Sequence, residues 1–240
     1  MIKKTLFIIL VLSLFNACDV AKMVATDVVT AINTVPSQAE AADGLKDALK
    51  QGFSNGISKL SQTGAFNNNQ LIKILLPEDA QKIADKLRSI GMGAQVDQVI
   101  YQLNEGAEKA VATAKPIFIN AVTNMSFNDA MSILTGGNGA ATNYLKQNTS
   151  SAIQSAFKPE IQKALNQVGF TAHWTDLVAT YNKIPLVTKL NPDLNQYVTD
   201  KAMKTLYDQV EQEENAIRAD PAKRLTDLMK KAFNYADTKK

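Results

Sequence analysis

The sequence predicts an all-α fold, a multi-helix bundle or orthogonal helical array, behind an N-terminal signal peptide and a short tether. Three observations predict it. Apolar residues recur at three- and four-residue spacing along most of the chain, the signature of one helical face. Glycine and proline are sparse, 11 and 7 of 240 residues, and most fall where one periodic stretch stops and the next starts. A single run, residues 71–76, is rich enough in branched side chains to read as extended, and no second strand is evident to pair with it.

The N-terminus carries an export signal. Met1-Ile2-Lys3-Lys4 is a short positive region, and residues 6–14 are apolar apart from Ser13. That run is too short to span a bilayer, which takes about 20 residues. Phe15-Asn16-Ala17-Cys18 follows. Ala17 before the cysteine resembles a bacterial lipobox, while Phe15 and Asn16 depart from its strict pattern. Cys18 is the only cysteine, so no intramolecular disulfide can form. Cleavage before Cys18 with lipid on its sulfur would consume that thiol. The alternative is an ordinary signal peptide cut near Ala17. Stable anchoring needs more than one acyl chain, and the bacterial lipoprotein modification supplies several. The expected address is the periplasmic side of the cell envelope, on the inner or the outer membrane. Asp19 resembles an inner-membrane retention signal of enteric bacteria, but other phyla use other rules.

Four segments are expected: signal peptide 1–17, lipid-anchored tether 18–38, one helical domain 39–236, and a frayed end 237–240. Loss of Lys3 and Lys4 takes the net charge from 26 − 23 = +3 to 24 − 23 = +1. Such a chain has no electrostatic footprint for nucleic acid.

Within the tether, residues 24–32 suggest a short helix. Leu45, Ala48, Leu49, Phe53, Ile57 and Leu60 then mark a helical face. Gly52 and Gly56 lie on the same stripe, which predicts close approach of a neighbouring helix. A polar loop, 63–69, leads to an extended packing segment at 71–76. Pro77 reads as the first helical residue of a helix that ends at Gly91 to Gly93. The next helix runs from Val96 to Val111, and Pro116 should kink or break it. Ser126 with Asp129 resembles a capping box variant. It opens a short helix ending at Thr135-Gly136-Gly137. Asn138 is expected to cap the next, with Ala141, Leu145, Ala152, Ile153 and Phe157 inward. Pro159 is expected to restart a helix that ends at Gly169. Trp174, Leu177, Val178 and Tyr181 define another, and Val198 to Ile217 a long one. Asp220-Pro221 is read as N-cap and first residue of the last helix, with Leu225, Leu228, Met229 and Phe233 inward.

A resemblance supports this architecture. Ile133-Leu134-Thr135-Gly136-Gly137, Ala140-Ala141-Thr142 and Tyr144-Leu145 resemble the signature of a bacterial domain-of-unknown-function family, number 4197. So do Ala114-Lys115-Pro116, Tyr197-Val198-Thr199-Asp200-Lys201-Ala202 and Ile217-Arg218-Ala219-Asp220-Pro221-Ala222. The resemblance runs from about Leu45 to Phe233. It implies mostly helical, exported or lipid-anchored proteins, and it implies no activity.

Candidate chemistry is concentrated in few places. Thr135, Gly136, Gly137, Asn138, Gly139 and Thr142 form a glycine-rich loop feeding a helix N-terminus, where backbone N–H groups and the dipole can hold an anion. The competing reading is a helix C-cap joined to an N-cap. The P-loop lysine spacing is missing. His173 is the only histidine and precedes the only tryptophan, Trp174. A single histidine with no cysteine left to serve as a ligand argues against a structural zinc site. Glu211, Glu213 and Glu214 form an acidic cluster, and Glu214 with Arg218 has the helpful four-residue order. Arg218 and Asp220 can join a buried network. Tyr144, Tyr181, Tyr197 and Tyr207 lie near apolar stripes. No catalytic residue, metal or cofactor is assigned.

Three functions follow. The first is a lipid-anchored module that binds an envelope protein or component and needs an exposed patch. The second is a carrier of a lipid or other hydrophobic ligand, which needs a deep apolar pocket. Met125, Met131, Met203 and Met229 would suit its wall or simply fill the core. The third is a hydrolase or transferase, which requires the glycine loop, His173 or the glutamates to converge in one cleft.

Overall fold

The structure is a computed structural model that describes residues 35–167, 169–187 and 193–239. The signal peptide, Cys18 and the short helix expected at 24–32 lie outside the described residues.

The first helix, α1 (Gln38–Leu60), begins at a full capping box. Ser37 Oγ accepts from the Glu40 N–H at 3.2 Å, and the Glu40 carboxylate accepts from the Ser37 N–H at 2.9 Å. That N–H, together with Lys231, holds the Glu40 carboxyl down at about 2. α1 buries the predicted stripe, and its glycines are where other helices cross it. A Cβ on Gly52 would stand 3.5 Å from Glu213 Cβ, and one on Gly56 would stand 3.2 Å from Gln209 Cγ. Gly44 is tighter: its Cβ would fall 2.3 Å from the Leu228 carbonyl oxygen. Backbone meets backbone there, so no side chain fits.

Residues 61–70 form a turn-rich loop tied down by a buried carboxylate. Glu108 accepts from the N–H groups of Gly64, Phe66 and Asn67. The next stretch, 73–77, is extended and pairs with no strand among the described residues. Asn104 takes the place of a partner strand: its amide accepts from the Ile74 N–H at 2.8 Å and donates to the Ile74 carbonyl at 2.9 Å. Ile74 and Leu76 point into the core.

α2 (Glu78–Ser89) follows, with Pro77 as N-cap rather than first helical residue. α3 (Gly93–Val111) passes through a short 3₁₀ turn, Ala112–Ala114, into α4 (Lys115–Thr123), whose first turn holds Pro116. The break predicted at that proline is therefore present. α5 (Phe127–Thr135) is capped by Ser126, which accepts from the Asp129 N–H.

α6 (Ala140–Gln167) corrects the expectation at Pro159: the helix runs straight through it. Pro159 and Ser155 are both exposed, so the carbonyl that loses its N–H donor sits on the wet side, while Phe157 and Ile161 hold the buried side. Ala152, expected inward, is exposed for the same helical phase. Gly169, at φ +77°, turns the chain into α7 (Phe170–Asn182). α8 (Asn195–Ala219) is the second long helix. Asp220-Pro221 opens only a 3₁₀ turn, Pro221–Lys223. The last helix, α9 (Asp227–Asp237), is capped instead by Thr226, and Leu225 is left 69 % exposed.

α1 packs on α9, α8, α5 and α4, while α3 packs on α6, α7 and α2; α6 and α8 lie against each other and join the two groups. One contiguous core results, with Phe53 stacked on Phe118 at 5.7 Å and Phe118 edge-on to Tyr207 at 5.8 Å. Met125 and Met229 are buried within it, and Met131 and Met203 pack against it.

Candidate functional site

The glycine loop lies between the end of α5 and the start of α6, and α8 closes over it. Gly139 takes φ +74°, a conformation that suits glycine. Its N–H donates to Asn215 Oδ1 at 3.1 Å. The Glu214 carboxylate fills the helix N-terminus. It accepts from the N–H groups of Ala141 (3.0 Å) and Thr142 (2.8 Å) and from the Thr142 hydroxyl (2.8 Å). The anion expected at this loop is thus supplied by the chain itself. Asn138, expected to cap α6, lies one residue before the cap position because the helix starts at Ala140, and the Glu214 carboxylate takes the first-turn N–H groups instead.

Arg218, one turn along α8, completes the arrangement. Its Nε donates to Glu214 at 2.9 Å. Its remaining nitrogens donate to the carbonyls of Ile133, Leu134 and Gly136, the unsatisfied end of α5. One ion pair therefore serves both helix ends: the acid at the positive N-terminus of α6, the base at the negative C-terminus of α5. Both side chains are 5 % exposed. Arg224, also buried, donates to the carbonyls of Ile217 and Arg218 and to Asn234 and Asp237. Both guanidinium groups lie over the Phe233 ring. Asp220 keeps its side chain on the 3₁₀ turn, accepting from the Ala222 N–H.

The acidic cluster is divided rather than gathered. Glu214 enters the loop, Glu213 turns to Lys59 of α1, and Glu211 lies beside Gly139. His173 is elsewhere. Its Nδ1 is 2.9 Å from Gln102 Oε1, and its ring lines a surface groove of about 380 Å³ between α3 and α7 with Met92, Ala94 and Leu177. Trp174 beside it is buried and stacked on Phe170. The glycine loop lies before the start of α6 and the Gly169 turn that leads to His173 lies beyond its end, with 28 helical residues, about 42 Å of helix, between them. The convergence an enzyme would need is not formed by these groups. No cluster of three metal-ligating side chains occurs among the described residues.

Sequence reasoning missed a different surface. The segment 71–76 alternates: Ile72, Ile74 and Leu76 face inward, whereas Leu71 and Leu75 are 94 % and 59 % exposed, with Lys73 between them. Two grooves adjoin it. One, about 290 Å³, lies toward Tyr197, Lys201 and Lys204 of α8; the other, about 660 Å³, lies toward Tyr101, Asp97 and Arg88. They share Lys73 and Leu75, and the second shares Ala94 and Gln98 with the His173 groove. The three form one continuous band. Tyr197 Oη donates to the Leu75 carbonyl at 2.8 Å, and partial burial raises its hydroxyl above the usual range. Lys73 between Ile72 and Ile74 was the available signal that one side of this stretch faces water.

A family model described as a protein of unknown function, DUF4197, matches residues 35–234. The chain belongs to this family. No curated protein and no solved structure matches it. Three stretches that carry the DUF4197 resemblance, 133–137, 140–142 and 217–222, meet at the Glu214–Arg218 knot. They hold the DUF4197 domain together at the junction of α5, α6 and α8.

No helix among the described residues is long and apolar enough to cross a membrane.

Proposed function

We propose that this protein is an envelope component, held on the periplasmic side by lipid on Cys18, that works by binding a partner rather than by catalysis. The observation that carries the binding role is the band: Leu71, Leu75 and Tyr101 are exposed beside adjoining grooves, whereas the other exposed large apolar side chains, Val35, Ile90, Ile119, Leu186 and Leu225, line none of these grooves. Contiguous exposed apolar surface marks interaction sites. The anchoring rests on the export signal and the lone Cys18.

Photo-crosslinking residues placed in the living cell at 71, 75 and 101, with a control at exposed Ile119 on α4, test the binding role. A discrete crosslinked species from the band positions and none from the control is expected; equal labelling everywhere would refute it. Metabolic labelling with an alkyne fatty acid should mark the wild type and not Cys18→Ala.

The His173 groove favours a second reading, a carrier of a hydrophobic ligand. Its volume of about 380 Å³ falls within the range of small-molecule sites. Mass spectrometry of the gently purified protein, before and after organic extraction, would show a stoichiometric ligand if that reading holds.

A further inference from the structure

We infer that the band receives a segment of a partner protein in which apolar side chains stand next to acidic ones. This rests on the reading of the band as the interaction surface and adds the chemistry of its partner. Four basic side chains line the two grooves around Leu75: Lys73, Arg88, Lys201 and Lys204. Only Asp97 and Asp208 oppose them, and both are engaged. Asp97 accepts from Arg88 at 2.5 Å, and Asp208 accepts from Lys204 at 2.5 Å. Among the described residues Lys73 and Lys201 have no carboxylate within ion-pair distance; Lys201 Nζ lies over the Tyr197 ring at 5.5 Å. Lys73 acts at longer range on Asp97, which Arg88 already holds, so four cations against two carboxylates leave an excess of positive charge beside the exposed leucines. An incoming basic segment meets repulsion there, and an acidic–apolar one meets complementary charge.

The partner engages by side chains rather than by adding a strand. Asn104 already occupies both backbone groups of Ile74, and Tyr197 occupies the Leu75 carbonyl. An anionic membrane surface is the less suitable occupant. Lipid recognition by charge draws on clusters of about four to eight basic residues; the four here are half offset by Asp97 and Asp208, and the band is concave, shaped to take side chains.

The test is a display selection of random 12-residue peptides on the purified full-length protein, followed by anisotropy titration of the selected peptides. Enriched peptides should carry two or more Asp or Glu beside apolar residues, and their binding should weaken as salt is raised. The double charge reversal K73E/K201E, at half-buried Lys73 and exposed Lys201, should weaken them by about three- to tenfold with an unchanged thermal midpoint. Peptides with Lys in place of their acids should bind that variant better than the wild type. Selected peptides with no acidic enrichment, peptides indifferent to the double reversal, or no selected peptides at all would overturn the inference. So would reversal-sensitive binding to phosphatidylglycerol vesicles in the absence of peptide binding. Crosslinks at 71, 75 and 101 alongside peptides without acidic bias would defeat this inference alone; absence of those crosslinks would defeat the binding role as well.

Discussion

The Glu214–Arg218 knot and the band around Leu75 use similar residue types to opposite ends. In the knot the charges are buried, and each finds a backbone or ionic partner: the carboxylate three donors at the start of α6, the guanidinium three carbonyls at the end of α5. In the band the ion pairs sit at an exposed rim, four cations face two carboxylates, and Leu71, Leu75 and Tyr101 face water. The first arrangement fixes architecture, because a buried charge tolerates only one geometry. The second leaves favourable interactions unformed within the chain and so available to another molecule. The contrast separates what maintains the fold from what the fold presents.

The largest expected effect comes from splitting the knot. Arg218→Met leaves Glu214 buried without its partner and strips three carbonyls of α5, and should cost about 3–5 kcal/mol of stability, read as a large fall in the denaturant midpoint. Adding Glu214→Gln should recover part of that loss; strict additivity of the two would mean the pair is not coupled. Gly44→Ala should cost about 1–3 kcal/mol by forcing α1 away from the Leu228 backbone. A neutral result would show that α9 shifts freely.

Glu108→Gln offers one carbonyl where a carboxylate received three N–H groups, and should cost about 1–3 kcal/mol, with faster hydrogen exchange at Phe66. Glu40 gives a pH signature. Its folded value, about 2, lies below the ordinary 4.5, so its contribution is present above pH 4.5 and fades as pH falls toward 2. The acid-side slope of the thermal midpoint across that window should shrink in Glu40→Gln and stay unchanged in Glu40→Asp only if the shorter side chain still reaches Ser37. Smallest in stability is Leu75→Ser, within about 0.5 kcal/mol of wild type. Loss of crosslinking at 71 and 101 with an intact midpoint would show that the band acts in recognition; a clear loss of stability would show instead that Leu75 belongs to the core.

Local signals were read most faithfully where they act locally. Ser126 caps α5 and Pro116 sits in the first turn of α4, each through a few neighbouring residues; Gly52 and Gly56 were legible as a crossing, though their partner, α8, was not. Pro159 and Asp220-Pro221 misled because tertiary context overrode propensity: solvent accommodates the missing donor at Pro159, and Arg224 buries itself where a helix would otherwise begin. The glycine loop was legible as an anion site, and its occupant was not, since Glu214 is 72 residues from Thr142 in sequence.

The sequence alone determined the all-α class, the register of nearly every apolar stripe and the extended character of 73–76, because periodicity and caps are properties of adjacent residues; it did not determine the turn at Leu71 and Ile72. Only the tertiary structure decided that the acidic cluster divides, that one ion pair joins two helix ends, and that Leu71, Leu75 and Tyr101 share a surface with an excess of basic side chains. Those facts depend on which distant segments meet, and burial, charge pairing and exposure acquire their values only after that meeting.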